Sequence, residues 1–185
     1  MIFMIISVIL LIAIISIVIW VIKTYNEFIT IGERVTNGKA QIAAQIESRW
    51  DAVRSLIDAT KHYEKHEVKT LENVTEQRVS VSKSSSIREL ENTEDEMNGV
   101  IGRLIAISEA YPDLKASEVY QATMERIDNY ENNVRHARMI YNDVVTRFNR
   151  LVRMFPSNII ASIFNFELKE YFQVTDSKQE MPSWE

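Results

Sequence analysis

IDNYENNVRHARMIYNDVVTRFNRLVRMF, residues 127–155, carries a heptad: Ile127, Val134, Tyr141, Phe148 and Phe155 recur at one position, Glu131, Arg138, Val145 and Val152 at the other. A seven-residue repeat keeps one seam of an α-helix turned toward its neighbours over many turns, so this stretch predicts a long helix packed in a bundle. Upstream, Ser117 is a suitable N-cap, and Glu118 follows at the positive end of the helix dipole. Downstream, Pro156 ends the helix and can open a short last one through Ile159, Ile160, Ile163 and Phe164.

Toward the N-terminus the same periodicity returns twice. Leu90, Met97, Ile101, Leu104, Ile107 and Tyr111 make the buried stripe of a second helix, which Pro112 stops because proline disfavours a helical residue before it. Ser86 and Glu89 form a capping box at its start, after a serine-rich break over 80–86. Before that break, Tyr25, Phe28, Gly32, Val35, Ile42, Ile46, Arg49, Val53, Leu56, Thr60, Tyr63, Glu67 and Val74 hold one stripe without an intervening proline. Only four glycines and three prolines occur, and neither Asn37-Gly38 nor Asn98-Gly99 lies between the alternating runs of a hairpin. The reading is all-α: an antiparallel up-down bundle of three long helices and a short fourth.

Residues 1–22 precede the bundle without a single charge, and all but Ser7 and Ser16 are apolar. A helix of that length spans roughly 33 Å, enough for a hydrocarbon core of about 30 Å. The serine hydroxyls can bond back to the preceding turn. With no basic n-region, an apolar run longer than a signal peptide's and no small-residue cleavage site, the segment reads as a retained transmembrane helix. Lys23, Arg34 and Lys39 follow it, so the positive-inside rule puts the N-terminus out and the body in the cytoplasm of a cell-membrane protein. The expected division is 1–22 transmembrane helix, 23–172 helical bundle and 173–185 polar, disordered tail. Because the stripe from Ile42 is complete without the span, a chain starting near Lys39 is expected to be soluble.

The chain carries 21 Lys plus Arg against 26 Asp plus Glu, a net charge of -5, and such a mildly acidic body argues against nucleic acid. Cysteine is absent, which excludes disulfides, thiolate nucleophiles and Cys-ligated zinc. His62 and His66 share a helix face, but Tyr63 stands where the H-E-x-x-H metalloprotease pattern needs Glu, and only Glu67 is near as a third ligand. His136 reads as an exposed residue. Gly99 and Gly102 lack the strand and Gly-Lys of a phosphate loop, and Glu94-Asp95-Glu96 reads as a solvated face. No cofactor is implied.

Two polar constellations stand out. Arg49, Glu67 and Arg78 in the first helix, with Glu131 and Arg138 in the third, form a possible structural layer; their charges either snorkel at the bundle edge or pair across helices. Tyr141-Asn142 and Phe148-Asn149 sit two turns apart beside the aromatic stripe, where an amide could bond across a helix interface or serve a partner's docking surface.

These residues carry a resemblance. Tyr25-Asn26, Arg49-Trp50-Asp51, His66-Glu67 and Arg78, then Tyr111-Pro112-Asp113-Leu114-Lys115-Ala116, Glu131, Ala137-Arg138, Tyr141-Asn142, Phe148-Asn149, Phe155-Pro156 and Tyr171-Phe172, follow in order and spacing the pattern of the LemA family of bacterial membrane-anchored helical proteins, which the chain resembles over nearly its whole length. The family usually carries Leu-Ile-Pro-Asn where this chain has Ala52-Val53-Arg54-Ser55, so any kink made by that proline should be absent or softer. The resemblance implies a membrane helix followed by a helical bundle and supplies no reaction. From the residues, the expectation is a noncatalytic scaffold or adaptor tethered to the bilayer through residues 1–22 and meeting a membrane or cytoplasmic protein partner. The alternative is a metal-dependent or other hydrolase with its site between helices.

Overall fold

The computed structural model describes residues 1–61 and 85–173. Every regular element among them is a helix: α1 (Ile2–Thr60), α2 (Ile87–Ala110), α3 (Pro112–Ala116), α4 (Glu118–Arg153) and α5 (Ser157–Ile163). The chain is all-α, as its periodicity requires. Most of the serine-rich break, together with His62, His66, Glu67, Arg78 and residues 174–185 of the tail, lies outside the described residues.

Helix α1 runs unbroken from the apolar segment into the packed body; neither Gly32 nor Gly38 interrupts it, and it continues without a break through Ala52–Ser55. Ser7 and Ser16 donate to the carbonyls of Phe3 and Ile12 one turn back, at 3.0 and 2.9 Å, so no hydroxyl hydrogen is left over in an apolar surface. The caps form where the sequence puts them. Glu89 N–H donates to Ser86 Oγ at 3.2 Å while the Ser86 N–H donates to the Glu89 carboxylate at 2.7 Å. Tyr120 N–H donates to Ser117 Oγ at 3.2 Å and caps α4. Between them stands an element that periodicity is too coarse to show: Pro112 at the first position of the single turn α3, held by the buried Leu114.

The described chain divides into two compact units, one of Met1–Asn37 with Asn142–Glu170, the other running from Gly38 to Tyr141 and resuming at Tyr171. In the second unit Trp50, Ile42, Ile46 and Leu56 of α1, Leu90, Met97 and Leu104 of α2 and Ile127 and Val134 of α4 are wholly or nearly wholly buried. There α1 and α4 run antiparallel, since Gly38 faces Tyr141 and Arg49 faces Glu131. A Cβ on Gly38 would lie 3.5 Å from the Cα of Tyr141, an approach that a larger side chain would prevent.

The first unit is built on rings. Phe166 stacks on Phe28 with centroids 4.5 Å apart, Phe148 meets Phe28 edge-on at 5.8 Å, and Tyr25 packs on Phe164 at 4.7 Å. A helix C-cap brings Phe166 there. Asn165 takes φ 55, a left-handed conformation that asparagine tolerates, and the Phe166 N–H donates back to the Ala161 carbonyl at 2.9 Å, the six-to-one bond of a Schellman turn. Phe155 does not continue the heptad inward: α4 ends at Arg153, the periodicity ends with it, and the ring is 78% exposed.

Candidate functional site

The second unit contains a charged layer in its packed interior. Arg49 is 3% exposed and donates through Nη2 to Glu131 Oε2 at 2.9 Å; Arg135, one turn along α4, donates to the other carboxylate oxygen at 3.1 Å. Arg138 pairs with Glu94 of α2, and its guanidinium also lies 4.4 Å from the centroid of the Phe172 ring, itself buried. The Gln173 N–H donates to Glu91 at 2.7 Å, one turn before Glu94, so the first residue of the expected tail is tied down.

Of the expected polar layer, the structure thus joins Arg49 to Glu131 and brings Arg138 to a partner that the sequence reading placed elsewhere. Glu94 is not part of a solvated acidic face. It fills the i+4 place between Leu90 and Met97 on the buried stripe of α2, and that spacing was the signal for it. Glu67 and Arg78 lie outside the described residues.

Burial lowers the pKa of Arg138 to about 10; Glu91 opposes the shift and nearby Arg49 adds to it. Arg49 is lowered by the same desolvation, offset by Glu131 and Asp128. Both remain cations at neutral pH, so each carboxylate here answers a fixed positive charge. Sliding α1 or α2 along α4 would strand a buried ion.

The aromatic-asparagine pairs are also accounted for inside the chain. Tyr141 and Phe148 are buried against Gly38 and the ring cluster, and Asn149 is 4% exposed. Asn149 donates from Nδ2 to the Lys169 carbonyl at 2.9 Å and accepts the Lys169 N–H at 2.8 Å, bonding the chain that returns from α5 rather than another helix. Asn142 is half-buried. His136 is exposed, as expected. Among the described residues no three His, Asp or Glu side chains converge as metal ligands would.

Comparison with known proteins gives the pattern a family. The model described as the LemA family matches residues 38–185. Protein LemA of Metamycoplasma hominis is 27% identical over 156 residues, covering 82% of this chain and 69% of that protein. Magnetosome protein MamQ 2 of Paramagnetospirillum magneticum is 32% identical over 73 residues, 40% of this chain but only 27% of its own length. Magnetosome protein MamQ of Magnetospirillum gryphiswaldense is 29% identical over 72 residues, 39% of this chain and 26% of its own.

Proposed function

The chain belongs to the LemA family, and we propose from that premise that it is a single-pass membrane-anchored scaffold or adaptor without catalytic activity, its helical body in the cytoplasm. The observation that carries this reading is the surface of α1. Its most apolar window has a mean hydropathy of 3.4, and none of that window is buried by the rest of the protein. A core helix of equal hydropathy would be covered by its own fold, and an uncovered apolar surface of this size in water is a strong association site. A bilayer covers it at no cost in unsatisfied backbone, because a helix bonds its own amides and carbonyls.

Continuity favours a retained anchor over a cleaved leader. Trp20 and Val21 are already half-buried and Thr24 and Phe28 are buried, so the apolar helix enters the packed body without a gap. The noncatalytic part of the reading is supported by how the polar groups are used: the interior charges are paired, and the buried amide of Asn149 holds backbone. The MamQ relatives, for their part, are named for the magnetosome and not for a reaction.

The test is proximity labelling in cells with the full chain as bait, alongside metal analysis and a broad hydrolase screen of the purified protein. A reproducible set of membrane or cytoplasmic neighbours lost when α1 residues 2–22 are replaced is the expected result. Stoichiometric metal or turnover that survives purification would overturn the scaffold reading.

A further inference from the structure

The first unit leaves apolar side chains uncovered at one end. Met154, Phe155, Ile159 and Ile163 are 54%, 78%, 48% and 63% exposed, grouped around the α4–α5 turn. Internal contacts fix the level of this end. Phe148 lies against Phe28 and Gly32, while Phe164 packs on Tyr25, so the chain after Phe148 travels toward the apolar span and reaches a residue three positions from Ile22. One helical turn is about 5.4 Å, which puts the α4–α5 end within roughly a turn of where the bilayer would begin. Arg147, Arg150 and Arg153 are exposed at three-residue spacing on the last turns of α4, and Lys23 is exposed on α1.

Apolar side chains next to a cluster of cations, at the height of a membrane surface, are the composition of an interfacial lipid contact. We infer that the α4–α5 end of the first unit rests in the headgroup layer of the membrane that α1 crosses, with Met154, Phe155, Ile159 and Ile163 entering the interface and Arg147, Arg150 and Arg153 meeting anionic lipid phosphates. The inference rests on the anchor reading of α1. Its consequence is mechanical: the first unit is attached at two places, so that unit stands in a set orientation on the bilayer instead of swivelling on a single helix.

The chain has no cysteine, so single spin labels can be placed without background. Full-length variants Ile12→Cys, Phe155→Cys, Ile159→Cys and, as an exposed apolar control in the other unit, Val119→Cys are labelled and reconstituted in phosphatidylcholine vesicles with and without phosphatidylglycerol. Accessibility to oxygen, which concentrates in lipid, and to a water-soluble nickel chelate gives depth. The expected result is Ile12 deep in the core, and Phe155 and Ile159 at headgroup depth with nickel accessibility several-fold below that of Val119. Phosphatidylglycerol should deepen both, and Arg150→Gln with Arg153→Gln should abolish that deepening. Labels at Phe155 and Ile159 as open to nickel as the control, with Ile12 deep, would overturn the inference and leave the anchor standing. Exclusion of both reagents would assign the patch to a second copy or another protein and overturn it equally. A label at Ile12 open to water would overturn anchor and inference together, and a depth indifferent to phosphatidylglycerol would overturn the role of the arginines.

Discussion

Arg49 of α1 and Glu131 of α4 meet at 2.9 Å with the guanidinium almost wholly enclosed and the carboxylate about a third exposed. The pair is therefore asymmetric: water stabilises one partner and cannot reach the other, so removing Glu131 leaves a desolvated cation. We expect Glu131→Ala and, at the neighbouring pair, Glu94→Ala each to cost about 3 to 5 kcal/mol in denaturant unfolding. Arg135→Ala, which removes an exposed cation from the same carboxylate, should cost under about 1 kcal/mol. Replacing both members of the second pair by Glu94→Leu with Arg138→Met should be much milder than Glu94→Ala. Equal losses for all single variants would mean that the layer is solvated.

How far the sequence foretold this site depends on which signal each residue carried. The α1 stripe from Phe28 to Thr60 and both capped helix starts were legible, because burial at helical spacing and a serine's reach to a free amide are local. Glu94 was masked by its neighbours: Asp95 and Glu96 are exposed, and an acidic run looks solvated unless each position is set on the stripe separately. Phe155 was misassigned because a heptad written in sequence continues past the point where the helix stops. The partner of Asn149 had no signature at all, since Lys169 is bound through its backbone, and a backbone is the same under every side chain.

The glycines separate into two kinds. A Cβ on Gly99 or Gly102 meets nothing within 4 Å, so Gly99→Ala and Gly102→Ala should each stabilise the protein by about 1 kcal/mol through helix propensity alone. At Gly38 a Cβ would sit 3.4 to 3.6 Å from Tyr141, ordinary contact distance. Gly38→Ala should therefore be tolerated, whereas Gly38→Leu forces α1 off α4 and should cost about 1 to 3 kcal/mol. Thermal melts of the four variants check the ordering.

Asn149→Ala removes both bonds that the buried amide side chain makes to the Lys169 backbone. The expected cost is about 1 to 3 kcal/mol. Asn149→Asp keeps the acceptor for the Lys169 N–H but loses the donor, and should fall between. Hydrogen exchange at the Lys169 amide should quicken in the Ala variant far more than at α2 amides; uniform quickening would show that the effect is global.

The position of a soluble truncation follows from the ring cluster. A start near Lys39, which the stripe from Ile42 recommends, would delete Tyr25 and Phe28 and leave Phe148, Phe164 and Phe166 without the α1 side of their core. A start at Lys23 keeps them. We expect the Lys23 chain to give a cooperative melt with near-ultraviolet circular dichroism from ordered rings. The Lys39 chain should remain helical but lose that aromatic signal and bind a hydrophobic dye. Phe28→Ala in the longer chain should reproduce much of the defect, at about 3 to 5 kcal/mol.

Orientation is decided by few charges, which makes it open to direct reversal. Lys23, Arg34 and Lys39 lie on the C-terminal side of the span, and no Lys or Arg lies before it. Positively charged flanks resist translocation, so the body should stay in the cytoplasm. A phosphatase reporter active only outside the membrane, fused after Glu185, should be silent, and a cytoplasmically fluorescent reporter at the same place should be bright. Moving the bias, by adding lysines before Ile2 while replacing Lys23, Arg34 and Lys39 with Gln, should exchange the two signals in at least part of the population. A wild-type chain that lights the external reporter would put the body outside, and the partners sought for it would then be extracytoplasmic.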